Sequence, residues 1–507
     1  MSASATSMAL VGTQATVVEV EAALGAGLPR TILIGLPDTA LYEARDRCRA
    51  AVAGAGLQWP NQLLTINLTP AALPKAGSHY DLAIVAAVLA AAEVVPQSIP
   101  AQTVFLGELG LDGRVRRVDG LLPALLGAKR SGISTAVVPA NQLREAELVK
   151  GLNIWPVASI ADLVETLYGR PTHYDIEPAA RALVQDVKPD LADVVGQPAA
   201  AWALEVAAAG RHHIYLQGPP GVGKTMLAKR LPSILPDLND EESLEVSALH
   251  SLVGADLSGG LITRPPFSQP HHNASMAALI GGGARIAKPG AISMAHRGVL
   301  FLDEAPEFSM RCLDALRTPL ESGEVSIARS LGQVTFPARF QLVMAANPCP
   351  CGRYGVRGAT CTCSPMAVKR YREKVSGPVL DRIDIQVQMR PASVALTRSE
   401  MGKSESSAVV AQRVAEARCR QAHRLRETGW RLNSEIPGYA LKTLPRPEGM
   451  ELLETAIQRG RLSGRGIDKV VRVAWTLADL AGAPKPRKED LMGAMSLRVG
   501  DECGVCV

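Results

Sequence analysis

The sequence predicts an α/β protein, built as two successive α/β domains closed by a helical C-terminal region. Three observations predict it. Strand-like and helix-like stretches alternate from residue 9 to about residue 170. A second alternating region runs to about Arg390 and opens on a glycine-rich loop set between a strand pattern and a helix pattern. Polar stretches then break the pattern at 171–190 and 397–407. The 507 residues allow three domains at roughly 150 residues each.

Taken in order, the first domain spans 1–170. ATVVEVEAAL, TILIGL, LLTINL and TAVVP are β-rich runs that predict strands. EARDRCRAAVAGAG predicts a helix ending at glycine, and DLAIVAAVLAAAEVV a buried helix. The longest apolar run, Leu82 to Ala92, is eleven residues. That is short of the roughly 20 needed to span a bilayer, so no membrane association is expected. The first twenty residues lack a basic segment followed by an apolar one, so a cytoplasmic location is expected. Nine cysteines are then expected as thiols or metal ligands and not as disulfides. Aromatic residues are only 4% of the chain, which argues against nucleic-acid binding mainly by base stacking. A net charge of +5 permits a polyanionic partner without requiring one.

Residues 171–190 are polar and bracketed by prolines, and predict a linker. The second domain, 191–395, carries the densest chemistry. Gly218, Pro219, Pro220, Gly221, Val222, Gly223, Lys224 and Thr225 satisfy G-x-x-x-x-G-K-[ST] in full. A strand pattern, HHIYLQ, precedes them and a helix pattern, MLAKR, follows. In this motif glycines let backbone N–H groups wrap phosphates, the lysine reaches the β- and γ-phosphates, and the hydroxyl ligates Mg²⁺. ATP and Mg²⁺ are the expected cofactors. GVLFLDE, a continuous apolar run, predicts a strand buried on both faces and ending in two acids. Asp303 would hold Mg²⁺ through water, and Glu304 would act as general base on the lytic water. A third strand, QLVMAAN, ends at Asn347, placed to bond the γ-phosphate or only to form a turn before Pro348.

SGPVLDRID, residues 376–384, makes the set specific. Together these motifs resemble an AAA+ ATPase of the magnesium-chelatase-like type, in the helix-2-insert clade. The resemblance implies a central P-loop α/β/α domain and a C-terminal helical lid, residues 396–507. It implies that Arg382 is an arginine finger facing a neighbour's nucleotide, worth about 10³–10⁵ in rate, and that the active unit is a ring. LSGRGIDKVVR, residues 462–472, resembles the lid-helix motif in which Arg465 is the sensor-2 arginine touching the γ-phosphate. The Gly- and Pro-rich stretch 264–283 falls where that clade carries its insertion. ESGEVSIARS followed by QVTF fits a hairpin, with Arg329 near its tip facing either a nucleic-acid phosphate or solvent. His271 and His272 are expected to be structural, because no acid or cysteine stands at matching spacing.

Cys349, Cys351, Cys361 and Cys363 form C-x-C-x₉-C-x-C. Two close pairs around a short loop suit four-thiolate Zn²⁺, although the one-residue spacing is tight and four reduced thiols is the alternative. Arg353, Arg357, Lys369, Arg370 and Arg372 nearby are expected to lower the thiol pKa values. The tail pair Cys503 and Cys506 is left unassigned.

In the first domain LPKAGSHYD and VFLGELGLDGRVRRVDG resemble the Lon-protease domain. The family's serine position falls on His79, and its two lysine positions on Leu122 and Ala124. Ser78 is one residue off and Lys129 lies on the following turn, so the Ser–Lys dyad required for that proteolysis is absent. The chain from about Ala9 to Leu497 resembles the ComM/YifB family, most closely in PLESGEVSIARS, NPCPCG and SGPVLDRIDI. That resemblance implies a homohexameric, ATP-dependent DNA motor promoting branch migration in recombination and natural transformation, with DNA as partner. The alternative is a magnesium-chelatase-type motor or metal-insertion chaperone. Chelatases need an integrin-like module carrying D-x-S-x-S, and no such motif occurs here.

Overall fold

A computed structural model describes residues 2–35, 38–71, 73, 77–97, 102–172, 174, 189–283, 287–329, 332–356, 358–392, 404–460 and 462–499. Most of the expected linker, together with Arg357, Cys503 and Cys506, lies outside these residues.

The first domain is built on a seven-stranded mixed sheet. Across the sheet the strands run Arg30–Ile34, Leu63–Thr69, Gln14–Gly25, Ser2–Val11, Thr103–Phe105, Thr135–Pro139 and Asn153–Val157. The expected strands all form, but a central one was missed. Ser2–Val11 pairs antiparallel with Gln14–Gly25 from Ser2↔Ala23 to Val11↔Gln14. Its serines, alanines and threonine carry little strand signal; Met8 and Ala9 are nevertheless fully buried, so packing decides the conformation. Thr103–Phe105 and Asn153–Val157 were missed as well, being short. The helix Asp81–Ala91 is buried along its entire length, as its unbroken apolar run demands.

The second domain holds a five-stranded, fully parallel sheet. Its order is Phe267–Ser268, Val299–Leu302, Gln341–Ala346, Ile214–Gln217, Ile385–Gln388. Leu302 pairs with Met344, and Gln217 with Ala346. Parallel strands put all their C-terminal ends along one edge, where ligands of open α/β sheets bind. Here that edge gathers the phosphate loop, Asp303 and Asn347.

The C-terminal helices Ser407–Leu425, Glu451–Gln458, Gly464–Leu480 and Lys488–Val499 do not stand apart. Val414, Val473, Trp475 and Leu491 share one hydrophobic core with Ile214, Val343 and Ile385 of the sheet. The first domain docks on the helix Asp240–Ser251. The Gly120 N–H donates to Ser251 O at 2.8 Å, and Ser251 Oγ to Glu145 Oε1 at 2.6 Å. The expected hairpin forms from Glu324–Arg329 and Gly332–Pro337, with Val325, Ile327 and Phe336 turned inward. Its second strand lies under the first domain's opening turn, where a Cβ on Gly12 would sit 2.9 Å from Thr335 O. The Arg329 side chain lies outside what the structure describes.

Candidate functional site

The phosphate loop leaves Gln217 and turns through Gly221 and Gly223, at φ of 81° and 92°. These left-handed angles are ones that L side chains resist. Lys224 then begins the helix Lys224–Ala228. Its Nζ donates to Gly218 O at 2.6 Å, Pro219 O at 2.8 Å and Asn347 Oδ1 at 3.0 Å. Burial pulls this ammonium below the ordinary lysine range, opposed by the charges of Asp303 and Glu304. Thr225 Oγ1 donates to Asp303 Oδ2 at 2.7 Å. A hydroxyl and a carboxylate held together beside a lysine are the donor set that Mg²⁺ and a nucleoside triphosphate require, so the residues present fit that cofactor.

Glu304 follows Asp303 in the left-handed region, at φ 51°. A left-handed backbone is strained for a residue other than glycine, and such strain gathers at functional sites. Sequence reasoning missed what it meets. His272 Nδ1 lies 3.6 Å from Glu304 Oε2, and the rings of His271 and His272 are 4.1 Å apart. The spacing argument for the two histidines holds only along the sequence, because His272 meets an acid in space. Its acid partner lies thirty-two residues away in sequence, and the parallel pairing of Phe267–Ser268 with Val299–Leu300 brings them together.

Two cavities divide the remaining residues. One, of about 660 Å³, is lined by the phosphate loop from Pro219 to Gly223 with Val195, Gln197, Met226 and Arg353. The other, of about 700 Å³, contains both Arg382 and Arg465 and adds Arg211, Arg339, Lys469 and Arg472. Arg382 donates to Pro378 O at 2.7 Å and pairs with Glu321. Lys469, one turn beyond Arg465 on the same helix, donates to Arg382 O at 2.9 Å and to Asp384 Oδ1 at 2.6 Å. The two predicted arginines are thus tied into one unit, and neither lines the phosphate-loop cavity of its own chain.

The four cysteines converge, with all Sγ atoms within 4.8 Å of one another. Three of the separations are 3.4, 3.8 and 3.5 Å. Thiolates about 2.3 Å from a tetrahedral Zn²⁺ stand about 3.8 Å apart, so the set fits that ion. The expected cause of thiol activation is corrected. Cys351 is lowered to about 5, first by the Arg353 and Thr362 backbone N–H groups and not by basic side chains. Cys361 is pushed up to about 12: a backbone hydrogen bond with Cys363 lowers it, but burial and the neighbouring sulfurs outweigh that bond.

Residues 190–396 match the family model "Magnesium chelatase, subunit ChlI". Residues 20–142 match "Subunit ChlI of Mg-chelatase", and 404–498 "Magnesium chelatase, subunit ChlI C-terminal". The competence protein ComM of Haemophilus influenzae is 39% identical over 501 residues, covering 97% of this chain and 96% of that one. The chain belongs to the ComM/YifB family of magnesium-chelatase-like ATPases. YifB of Escherichia coli is 40% identical over 494 residues, with the same coverage. The uncharacterized protein Rv2897c of Mycobacterium tuberculosis is 51% identical over 502 residues, 97% of each chain. Lon protease of Mycolicibacterium smegmatis is 26% identical over 171 residues, 32% of this chain and 22% of that protein.

In this family member the Lon-like positions are consumed by structure. Ser78 Oγ donates to Glu108, and His79 Nε2 bonds Met8 O at 2.8 Å. Arg47 Nη2 and Asp81 Oδ1 pair at 2.8 Å. Leu122 and Ala124 are buried among apolar side chains. No helix among the described residues is long and apolar enough to cross a membrane.

Proposed function

We propose that this protein is an ATP-driven DNA motor working as a homohexameric ring, a branch-migration helicase of recombination and transformation. One observation carries the ring: the cations Arg382 and Arg465 line a different cavity from the phosphate loop. Each chain then offers two half-sites, and a neighbour's arginines complete each nucleotide site. In this reading Lys224, Gly218, Gly221 and Gly223 bind the phosphates. Thr225 and Asp303 hold Mg²⁺, which supplies charge stabilisation on the phosphoryl oxygens. Glu304 takes the proton of the lytic water, and Asn347 positions that water beside Lys224. Arg382 leaves Glu321 for the neighbour's γ-phosphate, and Lys469 makes Arg465 move with it. Zn²⁺ on the four cysteines is structural.

The name of the Haemophilus relative, a competence protein, supports DNA as the partner. The scarcity of aromatic residues favours grip through phosphates over base readout. The second reading, a chelatase motor, is favoured by the family models' descriptions. ATPase assays with and without four-way DNA decide between them. Stimulation that Lys224→Ala abolishes is the expected result; DNA that neither binds nor stimulates sinks the motor. Mixing Arg382→Ala with Glu304→Gln subunits tests the ring, since a finger acting in trans restores part of the activity in mixed assemblies.

A further inference from the structure

The cysteine loop follows the strand Gln341–Ala346 directly, because Asn347, Pro348 and Cys349 are consecutive. The loop is largely exposed, but at Gly352 it closes on the phosphate loop. Gly352 is buried at φ 74°, and a Cβ placed there would stand 2.5 Å from Pro220 Cδ. A side chain at 352 and the phosphate loop therefore cannot occupy the same space. Backbone N–H groups and a cation pin the loop in this position. Tyr354 N–H donates to Cys349 Sγ at 3.3 Å. Arg372 covers the Tyr354 ring at 5.0 Å and donates to Pro348 O at 3.3 Å. Between these anchors Cys351, Gly352, Arg353 and Val356 form one side of the phosphate-loop cavity. Arg353 is exposed there, and among the described residues it makes no ion pair.

An arginine without a carboxylate, facing a cavity whose other wall is a phosphate loop, is poised for an anionic oxygen. We propose that the cysteine loop is a wall of the nucleotide site and that Arg353 binds the nucleotide's phosphates across the cavity that it shares with the phosphate loop. This rests on the reading of the phosphate loop as the ATP site. The clustered sulfurs then have a purpose beyond local folding: they hold Arg353 and Gly352 against Pro220. Loss of the cluster therefore loosens nucleotide binding.

The test is equilibrium binding of a fluorescent ATP analogue to the full chain. Arg353→Ala is expected to weaken binding on the order of tenfold, the loss of one charge-assisted hydrogen bond. Arg353→Lys, keeping the charge but not the fork, recovers part of it. Gly352→Ala is expected to weaken binding as much, by pushing the loop off Pro220. Native affinity in Arg353→Ala overturns the role of Arg353, and native affinity in Gly352→Ala overturns the wall. Lys224→Ala serves as the reference. If it too binds normally, the phosphate-loop reading falls; if it alone loses binding, only this proposal falls.

Discussion

The two α/β domains use the same kinds of side chain in opposite ways. In the first, Ser78, His79 and Asp81 lie in or beside the segment that resembles the Lon-protease motif, and each is engaged within the domain. Ser78 meets Glu108, His79 meets a main-chain carbonyl, and Asp81 is 1% exposed against Arg47. In the second, Lys224 bonds Asn347 and the phosphate loop's own carbonyls, and Thr225 bonds Asp303, at the end of a parallel sheet whose phosphate loop lines a cavity. Reactive residue types mark a site only where their hydrogen bonds converge on space that a ligand can enter. Where they close on the protein itself, they are part of the fold.

Breaking the first domain's buried pair is the largest expected effect. Asp81→Ala strands Arg47 and is expected to cost about 3–5 kcal/mol, read in urea unfolding, while nucleotide affinity is unchanged. A change in nucleotide affinity without loss of stability would erase the contrast between the domains. Next comes Lys224→Ala, expected to lower ATP hydrolysis by about 10²–10³-fold with unfolding unaltered, checked by phosphate release.

Both domains share a pH response. Burial holds His79 and His213 at about 4, against an ordinary value of 6.5. Each is neutral in the fold, so below pH 6.5 the unfolded chain binds protons that the native chain refuses. Stability is therefore complete above about pH 6.5 and declines as pH falls toward about 4. The decline should be shallower in His79→Gln if this ring contributes, and unfolding midpoints at a series of pH values measure it. Smaller still, His272→Ala is expected to lower kcat by about tenfold or less, because it removes the partner of Glu304. An unchanged kcat would leave His272 with a structural role alone. Last, Ser78→Ala should leave ATP hydrolysis unaltered in a steady-state assay.

Much of the second domain's site was legible in the sequence. G-x-x-x-x-G-K-T is a strand, loop and helix contiguous in the chain, so its geometry follows from local backbone preferences. Asp303, Glu304 and Asn347 were legible because each ends an apolar run, and parallel strands end together. Ser2–Val11 was not legible, since its small residues become a central strand only when neighbours bury them. Nor was the contact of His272 with Glu304, or the approach of Gly352 to Pro220.

The sequence by itself therefore determined the α/β class, the phosphate loop with its two acid and amide strand ends, and the residues, His79, Leu122 and Ala124, that stand at the Lon-like motif positions. All of these depend on residues within one element or on the identity of single residues. Tertiary structure alone decided that Arg382 and Arg465 share a cavity, through Lys469 and Asp384, and that the cysteine loop seats on the phosphate loop. Such contacts join segments far apart in the chain. They are set by sheet order and shared cores, and spacing along the sequence carries no record of them.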